Sequence, residues 1–419
     1  RGQLGEALAA FQSAADTTAQ LLSRAPNDGQ RVFDHAQSIY WVGYINWKRN
    51  QAHQAEEAFL KYRELAQQLV RIDANNLDWQ LETASAGHNL GVVQLDRRRL
   101  DEALRSFSES KDGFSRLIGA KPVLAYELAE ANGWIAKTLE ASGDYARAIA
   151  AQQERLQVLR TMTASATDRR AQRQVANANY ELGRLQLYLG NPHAAEPLAR
   201  SAVEQADALI LVDTANLIWL ADSCSHGISL AEIEFALSRR ELARANLERA
   251  MAQLSRLISS DASVANWQVS RQGRGLTLAA RFALAEDRGK PPPAALENYL
   301  NMVERFESQG KRLNADQEGI VASVELALGD LLARGGRREA GENHWRAAVE
   351  RLRPQAENEN YPVLTLLARL QLRLDRPGEA RALAARVQLS KYRHPAYADL
   401  VNELAHAAGR GQSNLLGRN

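Results

Sequence analysis

The sequence predicts an all-α protein, a solenoid of stacked antiparallel helix pairs. An alanine recurs at intervals of 40 to 52 residues, a small residue stands twelve positions before most of these alanines, and a short break separates the two. Sequence periods of about 20–50 residues are typical of solenoids and repeat arrays. The recurring alanines are Ala7, Ala55, Ala103, Ala148, Ala195, Ala243, Ala295, Ala340 and Ala380.

The residues around each alanine explain why two helices should form. The small residues that precede them are Gly43, Gly91, Ala136, Gly183, Ala231, Ala283 and Ala368, with Leu328 as the exception. Small side chains let two helix backbones approach closely, and the larger apolar residues beside them fill the remaining space. Breaks such as Ser142-Gly143-Asp144 end one helix and begin the next, because glycine adopts the left-handed cap readily and proline cannot extend a helix.

The predicted elements follow this register along the chain. We expect a lone opening helix, eight helix pairs, a closing helix to about 408 and a flexible tail over 409–419. The opening helix is expected at 3–24 and the pairs at 30–72, 80–119, 123–161, 168–210, 216–259, 266–308, 314–353 and 361–389. The repeats are regular over 1–260 and less regular over 261–408, and Gly289–Pro293 is expected to form a stiff turn within a pair.

The repeat pattern resembles the tetratricopeptide repeat. Asn89-Leu90-Gly91 followed by Leu100–Phe107 matches its paired helices, and Ser142–Ala148 matches its inner turn. Repeats of about 45–48 residues are longer than the common 34-residue form and resemble those of bacterial multidomain signalling proteins. The resemblance implies a right-handed superhelix whose concave face, lined by the first helix of each pair, binds a partner. Since Ala7 has a second-helix context, we expect the first pair to be truncated.

A second recurring element marks the connections between pairs. Asp73–Trp79 and Asp213–Trp219 share the pattern Asp, Ala, Asn, Trp, and Asp261–Trp267 is a weaker copy. Asp and Asn favour turns and helix N-caps. We therefore expect the tryptophans to pack at these corners, in preference to stacking on a ligand.

Composition and motifs argue against catalysis within this chain. The formal net charge is +2, the eight histidines are scattered singly, and a single cysteine, Cys224, cannot form an intramolecular disulfide. No phosphate-binding loop, metal-binding His pair or nucleophile elbow is found. We predict no catalytic residue, cofactor or metal, no strong nucleic-acid signal and no membrane span; a cytoplasmic location is favoured, with an extracytoplasmic one left open.

Two surfaces are candidates for binding. On the first helices, aromatic side chains stand beside amides and cations, a combination suited to gripping a peptide or helix. These candidates are Tyr40, Tyr44, Trp47, Lys48, His88, Asn89, Trp134, Lys137, Asn177, Tyr180, Arg184 and Tyr188. The alternative is that the rings pack between neighbouring helices. The second surface is a row of basic turns, including Arg97–Arg99 and Arg239-Arg240. For these turns an offset of the helix dipole is favoured over binding of an acidic partner, a lipid headgroup or a nucleic-acid backbone.

These observations predict a non-catalytic scaffold that binds a peptide, helix or protein on its concave face. Two alternatives stay open. The chain could be a sensor or regulatory module of a larger bacterial signalling protein with an upstream effector domain, or a structural element that assembles with copies of itself.

Overall fold

A computed structural model describes residues 3–162, 168–261, 264, 266–286 and 293–416. These residues form eighteen α-helices and contain no β-strand. The chain divides into two compact units, one of residues 1–142 with 146–166 and the other of residues 143–145 with 167–419. The all-α fold with helices packed in adjacent pairs confirms the predicted fold class.

The first unit contains an opening helix and three helix pairs. Its helices are α1 (Leu4–Arg24), α2 (Gly29–Lys48), α3 (Ala52–Ile72), α4 (Leu77–Asp96), α5 (Leu100–Leu117), α6 (Ala125–Ala141) and α7 (Tyr145–Met162). Each even-numbered helix is the first of its pair. The first helices also contact the second helix of the preceding pair, as α4 does with α3 and α6 with α5.

The second unit continues the same pairing and ends in a single helix. Its helices are α8 (Arg169–Tyr188), α9 (Pro192–Val212), α10 (Leu217–Ala236), α11 (Arg240–Ser260), α12 (Gly273–Glu286), α13 (Pro293–Ser308), α14 (Ala315–Arg334), α15 (Arg338–Leu352), α16 (Tyr361–Arg373), α17 (Pro377–Gln388) and α18 (Pro395–Leu416). Helix α18 extends past the predicted end near 408, because single glycines cost a helix only about 1 kcal/mol each and do not stop it. Residues 417–419 of the predicted tail lie outside the described residues.

The described turns inside the pairs share one backbone geometry. A residue of positive φ follows the first helix, and the next amide donates to the carbonyl five residues before it, as Gln51 N does to Asn46 O at 2.9 Å and Arg239 N to Glu234 O at 2.9 Å. This is the 6→1 hydrogen bond of a Schellman cap, which satisfies the last helical carbonyls. The residues of positive φ in these turns are Asn50, Arg98, Gly143, Gly190, Ser238, Gly336 and Asp375.

The small residues lie where the helices of a pair touch. A Cβ atom added to Gly43 would lie 2.7 Å from the ring of Phe59, and one added to Gly91 would lie 2.8 Å from the ring of Phe107. Ala55 and Ala103, on the facing helices, are fully buried. In these two pairs the alanine register therefore marks the helix-to-helix contact.

The Asp-to-Trp corners cap the first helices as expected. Asn76 accepts hydrogen bonds from the amides of Asp78 and Trp79, and Asn216 accepts one from Trp219. Trp79 is half-buried and packs against the N-terminal end of α2, where a Cβ on Gly29 would lie 2.3 Å from its ring.

Two predicted connections fall partly outside the described residues. In Asp261–Trp267, the third copy of the Asp-to-Trp element, residues 262, 263 and 265 lie outside the described residues. The ring of Trp267 packs against the core around Leu220 and Cys224. Of the predicted Gly289–Pro293 turn, only Pro293 is described, as the first residue of α13.

Candidate functional site

The first helices of the first unit form a continuous face. The indole Nε1 of Trp47 on α2 donates to the carboxylate of Asp96 on α4 at 2.7 Å. The imidazole of His88 on α4 contacts the ring of Trp134 on α6 edge-on, with 6.2 Å between centroids. These two contacts link α2, α4 and α6 and bring together candidates from three successive repeats.

Two exposed lysines on this face are held over aromatic rings. Lys48 Nζ lies 4.2 Å from the centroid of Trp47 and 5.2 Å from that of Tyr44. Lys137 Nζ lies 5.0 Å from the centroid of Trp134. A ring face attracts a cation while its ammonium group stays hydrated, at about 0.5–1 kcal/mol for exposed pairs. Within the part of the chain that the structure describes, neither lysine has a carboxylate partner.

The rings beneath these lysines pack between helices. Tyr40 is half-buried against Phe59 and Tyr62 of α3, and Trp134 stacks on Phe107 of α5 at 5.7 Å with 13° between planes. The aromatic candidates thus have the packing role that was the alternative expectation, while they also support the exposed cations. We call Tyr44, Trp47, Lys48, His88, Asn89, Trp134 and Lys137 the aromatic–lysine face.

The polar candidates of α4 complete this face. Asn89 Nδ2 donates to the carbonyl of Ser85 at 2.8 Å, which fixes the amide and leaves its oxygen as an acceptor. Burial lowers the pKa of His88, against a smaller upward effect of Glu130, so its imidazole is neutral at neutral pH. The positive charge of the face therefore comes from the two lysines.

The candidates of α8, in the second unit, contact the chain's own C-terminal part. The ring of Tyr188 lies 5.5 Å from that of Tyr392 and 5.7 Å from that of His394, and its carbonyl accepts from the Arg393 amide at 2.7 Å. We call residues 390–395 the closing segment. Tyr392 is only 3% exposed, so this segment covers the end of α8 on which a partner was expected.

Tyr180 and Arg184 of α8 also have partners within the second unit. Tyr180 stacks on His226 at 4.8 Å and accepts a hydrogen bond from Arg274 at 3.1 Å, and Arg184 pairs with Glu181 at 2.6 Å. Asn177 is half-buried on the same helix. The structure thus divides the twelve predicted residues into two groups. Eight lie on the first helices of the first unit, and four lie on α8, where Tyr180, Arg184 and Tyr188 contact other residues of the second unit.

A charged cluster that the sequence did not reveal lies beside this second group. Glu232 of α10 faces Arg274 and Arg281 of α12, and His394 Nε2 lies 3.7 Å from its carboxylate. The two arginines are seven residues apart, which places them on one side of α12. That spacing was the available signal, but it becomes informative only once α12 is known to be a first helix.

Comparison with known proteins gives a match in structure and none in sequence. No family model matches this chain, and no curated protein matches it in sequence. The quorum sensor NprR from B. thuringiensis, in its apo form, is 12% identical over 83% of this chain and 83% of its own, with a TM-score of 0.54. Apo RapI is 12% identical over 76% of this chain and 97% of its own, with a TM-score of 0.51.

A third solved structure agrees with these two. Aspartyl phosphate phosphatase F from Bacillus subtilis is 10% identical over 80% of this chain and 73% of its own, with a TM-score of 0.52. These neighbours are tetratricopeptide-like helical-repeat proteins. The chain has a tetratricopeptide-like fold. At such low identity, the similarity shows the fold alone.

The basic turns of the tetratricopeptide-like repeats are used in ion pairs between repeats. Glu56 on α3 pairs with Arg97 and Arg99 of the next inner turn, and Glu196 on α9 pairs with Arg239. Each pair joins residues about one repeat apart. These arginines therefore have a cohesive role that neither sequence interpretation, helix dipole or acidic partner, had included.

The remaining sequence features give no further candidate. Cys224 is fully buried, and burial raises the pKa of its thiol to about 12, as expected of a packing residue. Across the described residues, no cluster of three or more His, Cys, Asp or Glu side chains has the arrangement of a metal site. Within the same residues, no helix combines the length and the apolarity needed to cross a membrane.

Proposed function

We propose that this tetratricopeptide-like chain is a non-catalytic scaffold that binds a peptide, helix or protein partner on the aromatic–lysine face of its first unit. The observation that carries the proposal is the pair of exposed lysines, Lys48 and Lys137, each supported by an aromatic ring and without a carboxylate partner in the described chain. Other cations of the array, such as Arg97, Arg173 and Arg373, form internal ion pairs.

The geometry favours a partner with a carboxylate group next to an apolar residue. Lys48 on α2 and Lys137 on α6 offer two positive charges. The Asn89 oxygen, on the intervening first helix α4, offers an acceptor for a backbone amide. The indole edges are already satisfied, Trp47 by Asp96 and Trp134 by Glu130 at 3.4 Å. The faces of the aromatic rings and the lysine ammonium groups are therefore the parts of this face that are available to contact a partner.

The fold supports this proposal in a general way. A solenoid exposes an extended surface in proportion to its number of repeats, which suits it to holding another chain. NprR, whose fold is similar, is a quorum sensor. The regulatory alternative, in which capture of a partner is passed on to another domain, is compatible with the same face.

Charge reversal at the two lysines tests the proposal. Proteins captured by the full chain are compared quantitatively with those captured by the Lys48→Glu/Lys137→Glu variant and by a Lys61→Glu control. Lys61 is exposed on the second helix α3 and forms only a short-range pair with Glu64 at 3.1 Å. We expect the double variant to lose its specific partners at least tenfold and the control to retain them.

The outcome is decisive if all three proteins have the same melting temperature. Retention of every partner by the double variant would exclude the aromatic–lysine face. Equal losses in the double variant and the control would show a non-specific electrostatic effect. Light scattering over a concentration series tests the self-assembly alternative, because a strictly monomeric chain would exclude it. If the chain does associate, association that persists in the double variant would take place on another surface.

A further inference from the structure

The second unit contains a small polar cavity between α10, α12 and α14. Its volume is about 140 Å³, room on the order of five water molecules by their liquid volume. One part of its wall is charged and consists of Glu232, Arg274 and Arg281. The rest is formed by the hydroxyl-bearing Thr277 and Ser323 and by the apolar Ile228, Leu278 and Ile320.

The two guanidinium groups in this wall are only loosely paired. Arg274 Nη2 lies 3.9 Å from the Glu232 carboxylate, and Arg281 Nη1 lies 3.5 Å from it. The second nitrogen of Arg281 is 3.7 Å from Asp399. Charge-assisted hydrogen bonds are shorter, about 2.7–2.9 Å. Arg274 Nη1 donates to the Tyr180 hydroxyl at 3.1 Å. Arg274 Nη2 and the two Nη atoms of Arg281, by contrast, have no acceptor at bonding distance among the described residues.

The cavity wall has more positive than negative charge. Its two arginines and one glutamate give a surplus of one positive charge. Burial acts to raise the pKa of Glu232, but the positive charges beside it, among them Arg274 and Arg281, outweigh burial and hold that pKa below its usual value, so Glu232 is ionised. Burial lowers the pKa of His394 to about 4, so this neighbour is neutral. Asp399, an exposed carboxylate outside the wall, lies 3.7 Å from Arg281 and offsets part of this surplus.

The other polar atoms of the wall can only accept hydrogen bonds. Thr277 donates its hydroxyl proton to the carbonyl of Gly273 at 2.9 Å, and Ser323 donates its own to Gly319 at 2.8 Å. Their oxygens, together with the Glu232 carboxylate, are acceptors toward the cavity. A ligand that satisfies them must supply donors as well as a negative charge.

We propose that this cavity binds a small organic carboxylate that also carries a hydroxyl or ammonium donor, such as a short 2-hydroxy or 2-amino acid. The carboxylate would lie between Arg274 and Arg281, the planar groups best matched to it. The donor would face Glu232 and the two hydroxyl oxygens, and the carbon chain would contact Ile228 and Ile320. This site lies wholly in the second unit and is independent of the aromatic–lysine face.

Four compounds of similar size separate the features of this ligand. Binding to the full chain is measured by calorimetry and thermal unfolding with propionate, lactate, alanine and inorganic phosphate. We expect lactate or alanine to raise the melting temperature with concentration, as a ligand of the native state does, and to bind at least tenfold more tightly than propionate. Equal or tighter binding of phosphate, or no binding by any compound, would overturn the proposal.

Variants of the wall locate the binding. Arg281→Gln removes one guanidinium group, and Ser323→Leu fills the cavity without changing a charge. Both variants are expected to bind the compound at least tenfold more weakly than the wild type. Arg346→Gln, an exposed arginine of α15 paired with Glu342 at 2.7 Å, is the control. Unchanged affinity in either folded cavity variant, or an equal loss in the control, would contradict the assignment.

Discussion

At the scale of single residues, the close approach of α14 and α15 depends on a pair of glycines. A Cβ atom on Gly341 of α15 would lie 2.6 Å from the carbonyl oxygen of Gly329 on α14, a backbone atom that cannot move aside. These glycines stand one residue after Leu328 and Ala340, where the register had its one exception. The contact is thus shifted by a single residue, and the register is otherwise preserved.

Replacing one of these glycines should therefore destabilise the second unit. We expect Gly341→Ala to lower the free energy of unfolding by about 1–3 kcal/mol, the usual cost of overpacking. Gly378→Ala is the matched control, because its Cβ would meet nothing within 4 Å; there alanine should be neutral or slightly stabilising. Urea unfolding measures both, and equal stabilities would show that α14 and α15 can separate without cost.

The single thiol offers a second prediction at this scale. Burial raises the pKa of Cys224 to about 12, and the thiolate is the reactive form. At pH 8, a disulfide reagent should therefore modify the native chain at least 100-fold more slowly than the chain in denaturant. Fast labelling without denaturant would mean that the α10 environment opens readily.

At the scale of elements, the sequence predicted the helices better than the reasons for their turns. Glycine marked the breaks at Gly143 and Gly190, but Arg98 and Ser238 adopt the same left-handed conformation. The position in the repeat, between two helices fixed by packing, imposes that conformation even without glycine. The alanine register located these turns because it reports the packing and not the turn chemistry.

The candidate site was predictable to the extent that the register shows which side chains share a face. Tyr44, Lys137 and Arg184 each follow a small register residue, and Glu232 follows Ala231 in the same way. Glu232 is acidic and stands apart from the aromatic and basic side chains that mark the candidate face, although the register places it on the same side of its helix. The closing segment could not be foreseen, because its contact with Tyr188 spans about two hundred residues of sequence and depends on the summed geometry of the repeats.

Ion pairs between successive first helices contribute to cohesion at the element scale. Arg373 of α16 donates to both carboxylate oxygens of Asp330 on α14, at 2.8 and 3.2 Å, and Asp330 is 11% exposed. We expect Asp330→Asn to lower the free energy of unfolding by about 1.5–3 kcal/mol, as for a hydrogen bond to a charged group. Glu350→Gln, which removes an exposed pair with Arg353, should cost less than about 1 kcal/mol. Chemical denaturation compares the two, and similar losses would argue that the α14–α16 pair is solvated.

At the scale of the whole chain, the closing segment connects the last repeat of the second unit to its first. The Tyr392 ring packs against Tyr145 at 6.0 Å and Tyr188 at 5.5 Å, and a Cβ on Gly190 would lie 2.6 Å from the Arg393 carbonyl oxygen. The closing segment therefore joins residues from opposite ends of this unit. Its bonds are long-range in sequence, so their loss should loosen the unit without melting individual helices.

Removal of the Tyr392 ring tests this role. Tyr392→Ala should cost about 3–5 kcal/mol, as for other buried rings, and should expose the bonds after Lys391 and Arg393 to trypsin. Tyr392→Phe keeps the ring and should keep the resistance to cleavage. Limited proteolysis followed by mass spectrometry identifies the cut sites. Equal resistance of wild type and Tyr392→Ala would show that the closing segment is held by other contacts.

The same closure should make the stability of the second unit depend on pH. Burial lowers the pKa of His394 to about 4, whereas an imidazole in the unfolded chain has a pKa near 6.5. Between these values the unfolded state binds more protons, so the free energy of unfolding falls as the pH is lowered from about 7 toward 4. The contribution of His394 to this loss between pH 8 and pH 5 should be about 2 kcal/mol.

An asparagine at position 394 isolates this effect from the structural role of the residue. The Nδ1 atom of His394 accepts from the Ala396 amide at 3.1 Å as the cap of α18, and asparagine can cap a helix without titrating. We therefore expect His394→Asn to fold with a stability that changes about 2 kcal/mol less between pH 8 and pH 5 than that of the wild type. Urea unfolding at both pH values measures the difference. The range stays above the lowered pKa of Glu232, whose protonation would act only at more acidic pH. If both proteins lose stability equally, His394 is not the group that takes up the proton, and the closing segment is more open than its burial indicates.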